Sequence, residues 1–504
     1  MRVFCGIDRS NRVSRVIAPR AAILAGSLAL VVATGCKPVG PDYKRPEYQA
    51  PASYKETGGS AVVTPPPNPT GGGWQPANPS DGMLRGNWWE VFQDPQLNKL
   101  EDRVEANNPG LRQALETYLA AHDAVTAVRA NFFPFLSGDI SFSRGRVSQH
   151  RPNGSGAVTS EANDLAIAGQ ASWEPDIWGR VRRSVEAARD NAQADAAITA
   201  GVKLSLQAEL ATDYFALRGL DAQSRLLTAS VGDLEHQLQL TQQRFSGGVV
   251  TAVDVEQART QLETVRAALV DIGVARAQFE HAIGSIANYN LPDFSIPPSP
   301  LDMRLPNVPT GVPSQLLERR PDIATAERRA AAANAQIGIA VSAFYPTISL
   351  GSNGGFESTS PGTWIQGPSS LWSLGAQATQ LLFDAGQRRA LTSEARHNYE
   401  SQVAGYRDTV LVAFNDVEDQ LSGLRILEQE SGVEQLAVES AQRSFDLSNQ
   451  RYKGGVTSYL EVLTAETTLI QNQRTAIDLQ TRRFLSSVSL IRALGGGWDV
   501  TQLP

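Results

Sequence analysis

The sequence predicts a mainly α-helical protein with a small β part. It is built from internally duplicated, long antiparallel helical hairpins plus four strands per chain. Three observations carry this: a repeat of nearly fixed offset, two apolar-periodic stretches of unusual length, and four short period-two segments at matched positions.

Gln243-Arg244-Phe245-Ser246-Gly247-Gly248-Val249 has a near copy in Gln450-Arg451-Tyr452-Lys453-Gly454-Gly455-Val456, an offset of 207. Ala188-Arg189-Asp190-Asn191 pairs with Ala395-Arg396-His397-Asn398 at the same offset. Asn108-Pro109-Gly110-Leu111 pairs with Arg320-Pro321-Asp322-Ile323, and Ala130-Asn131-Phe132-Phe133-Pro134 with Ser342-Ala343-Phe344-Tyr345-Pro346, both at 212. One insertion of 5 residues in the first copy, between Pro134 and Arg189, accounts for the change. The chain therefore divides into a first repeat over 81–300, a second over 301–495 and a tail over 496–504.

Each Gly pair interrupts what would otherwise be one very long helix, because Gly tolerates the backbone of a sharp reversal. The first hairpin is expected over about 180–288 and the second over about 387–494. Leu206, Leu210, Asp213, Leu217, Leu220, Ser224, Leu227, Val231, Leu234, Leu238, Thr241 and Phe245 alternate steps of four and three, a heptad seam with three polar interruptions. At about 1.5 Å per residue such a helix approaches roughly 100 Å. Helical periodicity begins near Trp88-Trp89-Glu90-Val91-Phe92.

The strands lie where the offset changes and at the matching place in the second copy. Leu136, Gly138, Ile140 and Phe142 alternate with Ser137, Asp139, Ser141 and Ser143. Leu165, Ile167, Gly169, Ala171 and Trp173 form a second alternating set; Ile348 with Leu350, and Trp372, Leu374, Ala376 and Ala378, form two more. Strands are expected over about 135–146, 164–174, 347–356 and 371–382, with loops over Ser148 to Asn163 and Gly354 to Ser370. A small soluble four-stranded sheet is one reading. The other is membrane insertion, which a single chain cannot achieve. Single-chain barrels begin at about eight strands, and an open edge leaves N–H and C=O groups unpaired in hydrocarbon. Chains would then have to pool their strands, and three would supply twelve.

The N-terminus speaks to location. Arg2, Arg9, Arg12, Arg15 and Arg20 precede an apolar run from Ala21 to Ala33 and the small-residue site Ala33-Thr34-Gly35-Cys36. This is a secretory signal over 1–35, with Cys36 as the expected lipidated first residue (a palmitate-bearing lipoprotein). Residues 36–80 are rich in Pro, Gly and Thr and read as an extended arm. No later run reaches the roughly 18 apolar residues of a membrane-spanning helix, so any crossing would be by strands. The net charge of −7 argues against nucleic acid as a partner. Cys5 falls in the removed segment, which leaves Cys36 alone and no intrachain disulfide.

Enzyme chemistry finds no support. There is no His pair at metal spacing, no phosphate-cradling Gly loop and no nucleophile elbow; His122, His150, His236, His281 and His397 are scattered. No metal site and no cofactor are expected beyond the covalent lipid.

Several stretches resemble a known family. Gly35-Cys36 followed by Val39-Gly40-Pro41-Asp42-Tyr43-Lys44-Arg45-Pro46 is similar to the mature start of the outer membrane factor lipoproteins, the exit ducts of tripartite efflux pumps of the NodT branch. Leu317-Glu318-Arg319-Arg320-Pro321-Asp322-Ile323 with Ala343-Phe344-Tyr345-Pro346, and the run Ala208 to Arg218, resemble that family's motifs. The resemblance implies a homotrimer with a 12-stranded β-barrel in the outer membrane continued by an α-helical barrel through the periplasm. It implies as partners a periplasmic membrane-fusion adaptor, an inner-membrane RND-type transporter and outer membrane lipid.

Residue by residue, it places Glu461 at the periplasmic aperture, with Thr464 where the family carries a second aspartate. Tyr452, Asp254 and Arg451 fall at a gate latch. Gly247, Gly248, Val249, Gly454, Gly455 and Val456 fall at adaptor-docking tips. The competing reading is a lipid-anchored periplasmic coiled-coil rod or adaptor, which gives the four strands no task.

Overall fold

A computed structural model describes residues 37–51, 53–56, 86–146, 161–306, 308, 313 and 316–503. The expected signal segment, Cys36, most of the arm's second half and most of the first inter-strand loop lie outside the described residues.

The elements are α1 (Pro95–Asn107), α2 (Pro109–Arg129), β1 (Phe135–Arg146), β2 (Glu161–Trp173), α3 (Arg180–Ser246) and α4 (Ala252–Ile286). The second copy follows with α5 (Leu316–Arg319), α6 (Pro321–Ser342), β3 (Thr347–Ser358), β4 (Ser370–Thr379), α7 (Gln387–Lys453) and α8 (Tyr459–Ala493). The duplication is visible in the lengths: α3 and α7 each run 67 residues, α4 and α8 each 35. Among the described residues no helix is long and apolar enough to cross a membrane.

Trp88–Phe92, expected to open a helix, is a 3-10 turn. The helix proper starts at Pro95, where Asp94 accepts from the backbone N–H of Gln96 and Leu97 and Pro occupies the first turn at no hydrogen-bond cost.

The four strands form one antiparallel sheet in the order β1-β2-β3-β4. The register decides which way the alternation points. Ile140 faces Ile167, which faces Phe356; Gly138 faces Gly169, then Gly354, then Trp372. Because side chains alternate along a strand and align across a pair, the register places all four apolar sets on one face of the sheet. Ser137, Asp139 and Ser141 of β1 and Ser373, Gln377 and Thr379 of β4 lie on the other face. On the two outer strands the large apolar side chains of this face are bare: Ile140 is 72% exposed, Phe142 66%, Trp372 82% and Leu374 78%, whereas Leu165 of β2 is buried and Ile167, Leu350 and Phe356 are half-buried between their neighbours. Within the described residues β1 pairs only with β2 and β4 only with β3, so each has one unpaired edge.

The strand boundaries depart from expectation in three places. Glu161–Asn163 was expected as loop but extends β2, since Arg144–Arg146 pair with it and Arg144 bonds Glu161 at 3.1 Å. β3 runs two residues past the expected 356, to Ser358, and takes up the start of the stretch from Gly354 that was also read as loop, because Leu165–Gly169 of β2 supply its partners. The fourth strand ends at Thr379, not 382: the ladder stops where Thr347, its last partner, begins β3.

The two sequence repeats are not the compact units of the fold. One unit takes 1–46, 120–192 and 328–404; the other takes 47–119, 193–327 and 405–504. Each therefore draws matching pieces from both copies.

The first unit holds the sheet and docks the start of the arm. Arg183, 3% exposed, donates to the carbonyls of Val39 and Gly40 and to Asp42 Oδ1 (2.8 Å), and pairs with Glu186. Asn334 donates to the Pro41 carbonyl at 3.0 Å. Gly40 lies against Gly338, where an added Cβ would come within 2.5 Å of the Gly338 Cα. The start of the extended arm is thus seated on the helices.

The second unit holds the main core. Trp88, Trp89, Phe92, Leu97, Leu100, Leu210, Tyr214, Phe215, Leu217 and Phe484 are buried together. Phe215 stands between Phe92 (4.7 Å) and Phe484 (5.0 Å). The heptad seam is too narrow a description of α3 here. Leu204, Ala208, Ala211, Tyr214 and Phe215 are buried as well, because α1 and α8 flank it on further sides. At the far end Phe245, expected in the seam, is exposed.

Candidate functional site: the hairpin tips

Both tips are built the same way. Gly247 N–H bonds to Gln243 O, Gly248 N–H to Phe245 O, and Val249 N–H to Arg244 O at 2.9 Å. In the second hairpin Gly454 bonds to Gln450, Gly455 to Tyr452, and Val456 to Arg451, again at 2.9 Å. Gly248 (φ +75°) and Gly455 (φ +72°) take the left-handed conformation that ends the helix and turns the chain. Val249 and Val456 are each 71% exposed, so the two tips present matching apolar points.

The helices restart differently. Thr251 is the N-cap of α4, and Asp254 Oδ2 accepts from Thr251 N–H (2.8 Å) and Oγ1–H (2.7 Å), a capping box. Glu461 occupies the same third position of α8, after the N-cap Ser458, but forms no box. It turns to Arg451, Oε2 to Nη1 at 3.5 Å, both about half exposed. The expected aperture carboxylate is thus partly offset by an arginine of its own hairpin. Thr464 is exposed one turn on and returns its hydroxyl to Leu460 O.

Tyr452 and Asp254, both expected at the gate latch, are engaged within their own surroundings in the single chain. Tyr452 is buried, its ring 5.5 Å from that of Tyr459, and its hydroxyl has no hydrogen-bond partner. Asp254 is occupied with its cap.

What joins the two tips is Arg244, which the sequence reading did not single out. Its Nη1 donates to Tyr452 O (3.1 Å), its Nη2 to Lys453 O (3.2 Å), and its guanidinium lies 4.8 Å above the Tyr452 ring. The cation sits on the carbonyl end of α7, where the helix dipole favours it. Arg244 is the repeat mate of Arg451, so the repeat marks the pair but not which member crosses.

A second unanticipated residue lies nearby. Glu466 of α8 is 4% exposed; its Oε1 accepts from Gln237 Nε2 of α3 at 3.0 Å, and its Oε2 is buried without a partner. Burial, reinforced by Asp233, pushes its carboxyl up to about 7 against the opposing effect of the Gln237 bond. Gln237 also accepts from the Tyr459 hydroxyl at 3.4 Å.

The family model described as outer membrane efflux protein matches residues 100–288 and 312–496. A probable efflux pump outer membrane protein, TtgC of Pseudomonas putida, is 30% identical over 479 residues, 94% of this chain and 96% of that one. Outer membrane protein OprJ of Pseudomonas aeruginosa is 31% identical over 82% of this chain and 86% of its own. The solved outer-membrane channel OprN superposes with a TM-score of 0.82 at 26% identity, covering 91% of this chain and 99% of that one.

Proposed function

The chain belongs to the outer membrane efflux protein family, and from that premise we propose that three copies pool their strands into one twelve-stranded barrel whose lumen continues between the helical hairpins. The protein is the outer-membrane channel of an efflux pump. It passes solutes outward without chemistry of its own. A periplasmic adaptor docks on the tips around Val249 and Val456, and an inner-membrane RND-type transporter supplies the cargo. Cys36 carries lipid, which adds hold beside the barrel.

The observation that carries this reading is the sheet: four strands, two edges unpaired among the described residues, and the apolar alternation aligned on one face whose outer-strand members Ile140, Phe142, Trp372 and Leu374 are bare. In water that face and those edges are a liability; in a closed barrel the edges vanish and the face meets lipid. A periplasmic rod would leave Ile140, Phe142, Trp372 and Leu374 in water. At the hairpin tips, Glu461 repeated three times about an axis forms an acidic aperture that favours cations, tempered by Arg451.

Fractionation and planar-bilayer recording test the proposal together. The protein is expected in the outer membrane, with heat-modified gel mobility and stepwise cation-selective conductance. Recovery in the soluble periplasmic fraction without conductance would reject it.

A further inference from the structure

We propose that Glu466 is a proton-held latch between the two hairpins: neutral, it keeps α8 packed against α3 through Gln237; ionised, it forces that contact apart and opens the periplasmic end. The inference rests on the reading above that the hairpin tips form the gate.

The geometry points to this residue. Glu466 lies in the packed layer just above the tips, between the cluster of Ala258, Tyr452, Tyr459 and Val462 and the cluster of Leu227, Leu234, Leu262 and Ile470. It belongs to the second hairpin; its one hydrogen-bond partner, Gln237, belongs to the first. The groups around it offer a carboxylate little relief. From α3 come Asp233, a like charge, and the neutral Gln237. From α7 comes Tyr452, whose hydroxyl is unpartnered, and from its own helix Tyr459, whose hydroxyl is turned to Gln237. The α4 residues at this level, Ala258 and Leu262, are apolar. Arg244 is engaged with the end of α7. A buried carboxylate with one oxygen unsatisfied and no ion-pair partner is costly, whereas a neutral carboxyl there is tolerated.

The direction of the pH effect follows. The packed form holds its proton up to about 7, while the separated form releases it near the ordinary value of 4.5. Below pH 4.5 the group is neutral in both arrangements and packing is fully favoured. From about pH 4.5 to about 7 the packing advantage is progressively lost and above 7 it changes no further; over that window the balance between packed and separated hairpins moves by roughly 300-fold per subunit.

The test uses the full-length assembled protein with two readouts. Spin labels at exposed positions on the two hairpins, Gln242→Cys and Gln450→Cys, report their separation by pulsed electron resonance. Planar-bilayer recording reports conductance from about pH 4 to about pH 8. The separation and the open probability should both rise between about pH 4.5 and about pH 7 in the otherwise native protein and level off above it. With the isosteric, permanently neutral Glu466→Gln, both should stay at their low-pH values. A native profile that is flat, or a Glu466→Gln profile that still follows pH, overturns the latch. A pH-dependent separation that Glu466→Gln abolishes, without any change in conductance, overturns the claim that this contact opens the periplasmic end and points to a gate away from the hairpin tips, while leaving the reading of the protein as a channel standing.

Discussion

Removing Arg244 should unfasten the tips without unfolding the hairpins. Its guanidinium makes two charge-assisted hydrogen bonds, to the carbonyls of Tyr452 and Lys453, and one cation–π contact with Tyr452. Fully buried, these would sum to several kcal/mol, but the side chain is only half-buried and water competes for both carbonyls. A discounted total of about 2 kcal/mol per subunit is reasonable. That is about a 30-fold shift toward separated tips. Arg244→Ala should therefore raise open probability in planar bilayers by tens of fold, with the thermal midpoint of the assembly little changed. Arg244→Lys should fall between, since a point charge cannot span both carbonyls in a fixed fork. Unchanged open probability in Arg244→Ala would refute the reasoning, because nothing else described at the tips would then depend on the bridge.

Three further outcomes follow from the same structure. Ile140→Arg puts a charge on the apolar face and should cost about 2–4 kcal/mol, seen as loss of the heat-stable assembly on gels, whereas Ser141→Arg on the opposite face should assemble normally. Asp254→Ala removes the capping box and should cost about 1 kcal/mol locally, measured as faster hydrogen exchange over 252–256 with the rest of α4 unaffected. Glu461→Gln should reduce cation selectivity in reversal-potential measurements with little change in conductance, while Arg451→Ala, which frees the Glu461 carboxylate, should increase it.

The sequence exposed what is local and repeated. Four period-two segments could be read because alternation survives in any strand with one uncovered face, and the register then aligned all four. The Gly pairs could be read because a left-handed residue ends each long helix. What escaped depends on tertiary position. Arg244 and Arg451 have the same neighbours in sequence, yet one crosses to the other hairpin and the other stays with Glu461. Asp254 and Glu461 share the third helical position, yet only Asp254 closes a capping box.

Glu466 looks like any polar residue on a helix face until Gln237 and its apolar neighbours are placed around it. The extra buried stripe of α3 at Leu204, Tyr214 and Phe215 reflects helices arriving from distant parts of the chain, which a single-helix periodicity cannot register. For the same reason the repeats, plain in sequence, are cut across by the compact units of the fold.

Stoichiometry bears most directly on the central claim, that one chain has too few strands to close a pore. Native mass spectrometry of the detergent-solubilised, full-length protein should find three chains per particle under conditions where conductance is retained. A folded, conducting particle containing one chain would contradict it.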